Sequence, residues 1–326
     1  MSETDRIRCD FCEHRCNLAD GQTGRCAIRR REGDRIVTVN YGEHVSLAVD
    51  PIEKKPLYHF YPGVTALSSA LFGCNMGCEF CQNYAISQPR FFGSLKTRYI
   101  APAELAGELQ AGGHQVAAFT YSEPSVWQDY MLDAAGEVRR AGGSNVMITN
   151  GFFTRESLQR FLPLIDAFNI DLKGGEAFYR SICKTPMAPV LRNIREIAAM
   201  EGEPVLEVTT MLLEGVHTEQ EIMELAGALD EAGVAVWHLS SFRPTYNMGD
   251  WEPTSETFLE RIYRRAKAET TIPFIYCFSR RHREYEQTFC PKCATLCIDR
   301  LGFEVRENRL RGGLCPSCAT KLYGRF

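Results

Sequence analysis

Cys74, Cys78 and Cys81 stand in the stretch Gly73-Cys-Asn-Met-Gly-Cys-Glu-Phe-Cys-Gln-Asn83, spaced C-x3-C-x2-C with no fourth cysteine close by. Four thiolates close the coordination of an iron-sulfur cluster and suit it to moving electrons, whereas three leave one iron open to a substrate or cofactor. The spacing therefore predicts a [4Fe-4S] cluster built for chemistry. A zinc knuckle or three buried thiols are the alternatives; structural zinc takes four ligands and commonly uses paired C-x2-C units, which this stretch lacks.

Two further sets account for most of the rest of the chain's 14 cysteines. Cys290, Cys293, Cys315 and Cys318 form two C-x2-C knuckles joined by a β-rich segment from Leu296 to Arg311. That pattern reads as a ribbon whose four-thiolate site replaces a hydrophobic core, with zinc or a rubredoxin-like iron as the metal. Cys9, Cys12, Cys16 and Cys26 form a looser set that could hold zinc or a cluster, with His14 able to replace one thiol. Cys183, Cys277 and Cys297 stand alone and read as small buried hydrophobes.

Composition narrows the class. The chain has 326 residues, 44% hydrophobic and 24% charged, as expected of a globular protein with one large core and small appendages. A net charge of -4 gives no electrostatic case for nucleic acid as a partner. The start, Met1 to Arg8, is polar, and no run of about 18 apolar residues occurs, so a cytoplasmic location without a membrane partner is expected. In that compartment thiols stay reduced, which favours metal ligation over disulfides.

The elements between the cysteine sets alternate strand and helix. Short apolar runs bounded by turn residues predict strands at Thr65 to Phe72, Gln115 to Tyr121, Ser144 to Thr149, Ala167 to Leu172, Val205 to Leu213 and Val234 to Ser240. Helical patterns lie between them at Pro102 to Ala111, Val126 to Ala141, Arg155 to Leu164 and Met187 to Met200, and another starts at a Thr218 capping box. Six βα units predict an α/β fold with a parallel sheet and right-handed crossovers, open or closed into a barrel. The expected division is a cysteine-rich segment and lead-in loop at 1–62, a βα core at 63–286 and a C-terminal ribbon at 287–326. Ligands of such folds bind at the carboxyl ends of the strands, where the three-cysteine loop also falls. In the lead-in loop, Lys54 and Lys55 could meet an anionic substrate or be solvated, and His59, Arg243 and Tyr246 could line the same cavity.

The three-cysteine stretch resembles the signature of the radical S-adenosylmethionine (SAM) superfamily. The resemblance implies a partial (β/α)6 TIM-type barrel in which the open iron chelates SAM and an electron cleaves a carbon-sulfur bond, giving a 5'-deoxyadenosyl radical. It places Phe80 near the adenine and Asn83 among the cofactor contacts. Tyr121-Ser122-Glu123-Pro124 resembles the Gly-Gly-Glu-Pro segment that binds the SAM amino group, with Ser122 in place of a glycine. Thr149-Asn150-Gly151 and Asp171-Leu172-Lys173 resemble segments of pyruvate formate-lyase activating enzyme, in which the lysine reaches the SAM carboxylate. Ile148 stands where that activase has an aspartate, and Asp171 is the candidate replacement; His238 falls where the activase has a histidine beside SAM.

A narrower resemblance covers nearly the whole chain. Asp50-Pro-Ile-Glu-Lys-Lys-Pro-Leu-Tyr-His-Phe-Tyr-Pro62, the cysteine-rich start with Gly24-Arg-Cys26, Cys81-Gln-Asn-Tyr-Ala-Ile-Ser-Gln88 and the terminal knuckles look like the AmmeMemoRadiSam-system radical SAM proteins, relatives of those activases. The activase resemblance implies an oxidoreductase acting on a backbone glycine of a partner protein, with flavodoxin or ferredoxin as electron donor; a small molecule modified within a multi-protein system is the alternative, and the narrower resemblance does not supply the substrate. A scaffold without SAM chemistry is the non-enzymatic alternative. The basic runs Arg29 to Arg31 and Arg280 to Arg283 read as solvated faces or as a docking patch for an acidic partner.

Overall fold

The computed structural model describes residues 6–326; residues 1–5 of the polar start lie outside the described residues. The six expected strands form at β1 (Thr65–Leu71), β2 (Val116–Phe119), β3 (Ser144–Thr149), β4 (Ala167–Asp171), β5 (Val205–Leu212) and β6 (Val236–Ser241). A seventh, β7 (Phe274–Cys277), pairs parallel with β6 and extends the sheet beyond the six units expected. The seven lie in chain order and all pair parallel. On the other edge Glu43–Pro51 runs antiparallel to β1, and Arg98–Tyr99 pairs with it in turn. The edge strands do not pair with each other, so the sheet is open, the arrangement of a partial barrel.

Helices α1 (Pro102–Ala111), α2 (Gln128–Arg140), α3 (Arg155–Phe161), α4 (Ala188–Ala198), α5 (Glu219–Glu231) and α6 (Glu256–Glu269) complete the units. Their starts follow local chemistry: the hydroxyls of Thr154, Thr218 and Ser255 accept backbone N–H groups of the first turn, each at 3.1 Å. The helices bury Leu105, Tyr130, Leu158, Ile194, Ile222 and Ile262 in one continuous core with Phe119, Met147, Phe168 and Trp237 of the strands. Among the described residues no helix is long and apolar enough to cross a membrane.

The opposite face of the sheet is filled from within the chain. Ile52, Leu57 and Phe60 pack on Ala66, Val116, Val146, Ala167 and Val205, so the lead-in segment plugs the lower end of the strands. The C-terminal ribbon closes over that plug. Its strands Thr288–Phe289, Leu296–Leu301 and Glu304–Asn308 are antiparallel, Arg300 donates to the Tyr58 carbonyl at 2.8 Å, and the Arg325 N–H donates to the His59 carbonyl at 2.8 Å. His59 is wholly buried there and hydrogen-bonds Tyr276 and the Tyr323 carbonyl, so it does not share a cavity with Arg243 and Tyr246. Arg29 to Arg31 is likewise no solvated face. Strand alternation turns Arg29 and Arg31 inward, and Arg29 reaches Asp129 at 2.7 Å.

Candidate active site

The cysteine loop leaves the carboxyl end of β1 through Gly73, whose φ of 118° only glycine adopts easily and whose Cβ would meet Ile28 at 3.0 Å. The Gly77 and Glu79 N–H groups donate to the carbonyls of Cys183 and Ile182, and the Glu123 N–H donates to the Gly73 carbonyl, all at 3.1 Å. Cys74, Cys78 and Cys81 thereby line one wall of a cavity of about 330 Å³ at the carboxyl end of the sheet. Burial raises the Cys74 thiol well above its usual range, with Glu123 adding to it, and raises Cys81 to about 11. Cys78 is raised by the neighbouring Cys183 and by burial. Three thiols held off ionisation around one cavity, Cys78 buried and Cys74 and Cys81 half-buried, are a donor set that a bound cation would draw into thiolates, which fits an iron-sulfur cluster.

The cofactor-binding residues that the resemblance implies fall around the same cavity with one exception, whereas His59, Arg243 and Tyr246 do not line it. Phe80 and Asn83 line it next to the thiols, and Asn83 donates to the Tyr121 carbonyl at 2.9 Å. Ser122 turns its hydroxyl away, donating to the Leu71 carbonyl at 2.5 Å, so its backbone is what approaches the cavity. Glu123 is 2% exposed. Its Oε1 accepts from the Ser125 N–H at 3.0 Å and the Thr149 hydroxyl at 2.7 Å, and its Oε2 accepts from the Asn150 N–H at 2.8 Å. The Asn150 amide reaches Asn75 at 2.8 Å and the Cys74 sulfur at 3.6 Å. Lys173 pairs with Asp171 at 2.6 Å; burial opposes its charge, but that carboxylate outweighs it and raises its pKa. His238 is the exception. It sits level with Asp171 and Thr209 but does not line the cavity, and its Nε2 donates to buried Glu207 at 2.6 Å. Glu207 in turn accepts the N–H groups of Tyr58 and His59, so His238 braces the plug below the site.

Two features escaped the sequence reading, the contact of Cys183 and the tie made by the loop after β6, and the two lysines fall on the cavity side of an expectation left open. Cys183, taken for a buried hydrophobe, is fully buried but lies directly against Cys78. Lys54 and Lys55 line the cavity with the thiols, both pairing with Asp50, at 2.6 and 2.7 Å. Lys55 also lies 4.2 Å from the centre of the Tyr121 ring, whose hydroxyl donates to Asp50. The loop after β6 is tied to the cysteine loop: Tyr246 stacks on Tyr84 at 4.9 Å, and the Asn247 N–H donates to the Glu79 carbonyl at 3.1 Å.

The ribbon cysteines are fully assembled. Cys290 and Cys318, and likewise Cys293 and Cys315, are 3.6 Å apart, and all four sulfurs lie within 4.8 Å of one another. Each knuckle closes alike, with the Ala294 N–H donating to the Cys290 carbonyl at 2.9 Å and the Ala319 N–H to the Cys315 carbonyl at 3.0 Å. Hydrogen bonds from Thr320 lower Cys318 to about 6, poising it as a ligand for zinc or iron.

The radical SAM superfamily profile matches residues 69–229, from β1 to α5. The uncharacterized protein MJ0808 of Methanocaldococcus jannaschii is 35% identical over 327 residues, covering 98% of this chain and 96% of its own. Among solved structures, Streptococcus suis SuiB bound to its precursor peptide SuiA matches with a TM-score of 0.50 at 12% identity, over 69% of this chain and 50% of SuiB, a likeness of fold. This chain thus spans about half the length of SuiB. A domain of pyruvate-formate lyase-activating enzyme from Bacteroides vulgatus ATCC 8482 matches at 20% identity and a TM-score of 0.41, over 47% of this chain and 92% of that domain. With the profile spanning the cysteine loop and strands β1 to β5, and with a relative aligned from end to end, the chain carries a radical SAM superfamily domain and belongs to one family with MJ0808.

Proposed function

We propose that this protein is an enzyme that cleaves SAM reductively and abstracts hydrogen from a substrate held in the cavity. The observation that carries the reading is the convergence of Cys74, Cys78 and Cys81 with Lys173, Asp171 and the Ser122–Glu123 turn on one cavity. A [4Fe-4S] cluster bound there supplies the electron that cleaves SAM to methionine and a 5'-deoxyadenosyl radical. Lys173 pairs with the SAM carboxylate, and the backbone of Ser122 and the free side of the Glu123 carboxylate take the ammonium, because a zwitterion held in one pose needs opposite charges on its two sides. Phe80 lies beside the adenine, and Asn150, donating to the Cys74 sulfur, stabilises the thiolate. Flavodoxin or ferredoxin is the proposed electron donor, and the AmmeMemoRadiSam-system proteins are the proposed subfamily. The proposed divisions fall at 62/63 and 286/287, with Glu43–Pro51 on the N-terminal side pairing into the sheet of the core.

The substrate we favour is a small anionic molecule. Lys54 and Lys55 carry two positive charges against the single charge of Asp50 at the cavity wall, and Lys54 is half-exposed toward it. The alternative, a backbone glycine of a partner protein, needs a groove open to a peptide loop, and the Tyr84–Tyr246 stack and Asn247–Glu79 bonds draw that side together. Anaerobically reconstituted protein incubated with SAM and a reductant should release 5'-deoxyadenosine, and its reduced electron paramagnetic resonance spectrum should change on adding SAM. Both responses should vanish when Cys74, Cys78 and Cys81 are all replaced by alanine; a SAM-responsive signal in that variant would place the chemistry elsewhere.

A further inference from the structure

We infer that Cys9, Cys12, Cys16 and Cys26 hold a second, redox-active iron-sulfur cluster that feeds electrons into the cysteine loop through His14 and Asn75. The ligand set is built by the fold. Ile7–Arg8 pairs with Asn17–Leu18, the Cys9 N–H donates to the Cys16 carbonyl at 2.9 Å, and Cys12 bridges to Phe153. The result is one cavity lined by all four cysteines, of which Cys9, Cys12 and Cys26 are 5 to 8% exposed, and none forms a disulfide.

Two observations favour a cluster over a single ion. Tetrahedral zinc at about 2.3 Å from each sulfur needs sulfurs about 3.8 Å apart, as the ribbon set provides, whereas a cubane cluster spreads its four thiolates to roughly 6 Å. Among the described residues the N-terminal four form no such compact group although they share one cavity. The second observation is charge. Arg29 lines the cavity beside Cys9, is 5% exposed, and leaves its Nε buried without a hydrogen-bond partner. Backbone N–H groups of Phe11, His14, Ile28 and Arg29 are directed at the Cys9, Cys12 and Cys26 sulfurs. A buried guanidinium nitrogen with an open donor, and amides aimed at sulfur, match an anionic group in the cavity centre.

Position supplies the role. His14, in the same cavity, donates from Nε2 to the Asn75 carbonyl at 2.7 Å, and Asn75 directly follows Cys74. The Asn150 amide completes the contact, reaching Asn75 at 2.8 Å and the Cys74 sulfur at 3.6 Å. The module is docked firmly, with the Glu13 N–H donating to the Phe152 carbonyl at 3.3 Å and Arg192 pairing with Glu13 at 2.8 Å. One electron arrives from a flavodoxin- or ferredoxin-class donor and reduces the N-terminal cluster. One electron leaves along His14 and Asn75 to the cluster that Cys74, Cys78 and Cys81 would hold, which it would reduce as the N-terminal cluster returns to its oxidised state. Only this direction of flow rests on the SAM reading; the cluster itself does not.

The full chain carrying Cys74→Ala, Cys78→Ala and Cys81→Ala separates the two sites. After anaerobic reconstitution it should keep about four irons and about four sulfides per chain. Its reduced paramagnetic signal should be indifferent to SAM. Metal without sulfide would show a mononuclear site and overturn the proposal. Cys12→Ser with Cys26→Ser in the otherwise intact chain gives a second readout should the first variant fold poorly. Iron should fall by about half while the SAM-responsive signal stays, and unchanged iron would overturn the cluster. In the same variant, reduction of that signal by reduced flavodoxin should slow at least tenfold while reduction by dithionite stays as in the parent. An unchanged flavodoxin rate would overturn the relay.

Discussion

Lys173→Met and Glu123→Gln should fail in different ways, because the structure gives these two residues different work. The Lys173 side chain is 14% exposed and pairs with Asp171, 36% exposed, at 2.6 Å. Removing one member of a buried, hydrogen-bonded charge pair costs about 2 to 5 kcal/mol. Water reaching Asp171 compensates part of that, so the loss in SAM binding should fall at the low end, about 2 to 3 kcal/mol or roughly 30- to 150-fold in affinity. Iron content and folding stability should hardly change. Glu123 differs because protein donors already occupy it: three groups converge on a carboxylate that is 2% exposed. An amide has one acceptor oxygen, and its NH2 would face a donor, leaving a buried group unsatisfied at about 1 to 3 kcal/mol of stability. Since the Asn150 N–H is among those donors, the Asn150 amide should also shift from Cys74, and iron retention should drop. The assay pairs equilibrium SAM binding with iron content and urea midpoint for each variant. Unaltered SAM affinity in Lys173→Met would refute the carboxylate pairing, and unaltered stability in Glu123→Gln would refute the bracing role.

Three further outcomes follow from burial and pairing. Lys55→Met removes a side chain 2% exposed from Asp50 and should cost about 2 to 3 kcal/mol in urea unfolding. Lys54→Met, 47% exposed, should cost under about 1 kcal/mol, and equal losses would mean the two lysines are not the inner and outer members of one site. Cys318→Ser should release about one metal per chain and lower the thermal midpoint while SAM-responsive paramagnetism persists. Loss of that signal would tie the ribbon metal to catalysis. His217 is held neutral by burial, at about 4 against the usual 6.5, with its Nδ1 accepting the Leu213 N–H at 3.0 Å. Below 6.5 the unfolded chain takes up the proton first, so stability contributed by neutral His217 is present above that pH and fades toward pH 4, by about 3 kcal/mol in all. In His217→Gln the fall in stability between pH 7 and 4.5 should be shallower than in the parent, and identical slopes would refute this.

The catalytic loop and its six βα units were legible because their signals are local: a spacing of three cysteines, apolar runs of strand length, and capping residues three positions before their partners. What was missed depends on contacts that leave no local trace. Cys183 meets Cys78 from a turn more than 100 positions away, and nothing around it repeats a ligand spacing. Strand Arg29–Glu32 reads Arg-Arg-Arg-Glu, so polarity cannot say which side faces in, and the packing of Arg29 on Asp129 decides it. His238 was drawn into the site by the motif it resembles. Its register was foreseen, but Glu207, one strand over and wholly buried, claims its Nε2. β7 was readable as Phe-Ile-Tyr-Cys but lay outside a count that stopped at six.

The plug explains why a ribbon at the far end of the chain belongs to this enzyme. A parallel sheet with an open edge needs its inner face covered, and here Ile52, Leu57 and Phe60 do so at the bottom while Lys54 and Lys55 face the cavity above. The segment carries polar groups into that interior, and each needs a partner. Glu207 takes the N–H groups of Tyr58 and His59, and Asn169 donates to the Pro56 carbonyl at 2.8 Å. Arg300 of the ribbon donates to the Tyr58 carbonyl, and its guanidinium lies 4.3 Å from the Tyr58 ring centre. Glu53, buried beside Arg300 at 3.7 Å, has its carboxyl raised to about 7 by burial despite that arginine. The floor of the cavity is therefore held from the strands on one side and from the four-cysteine ribbon on the other, which fixes the depth at which the two lysines line the cavity with the thiols.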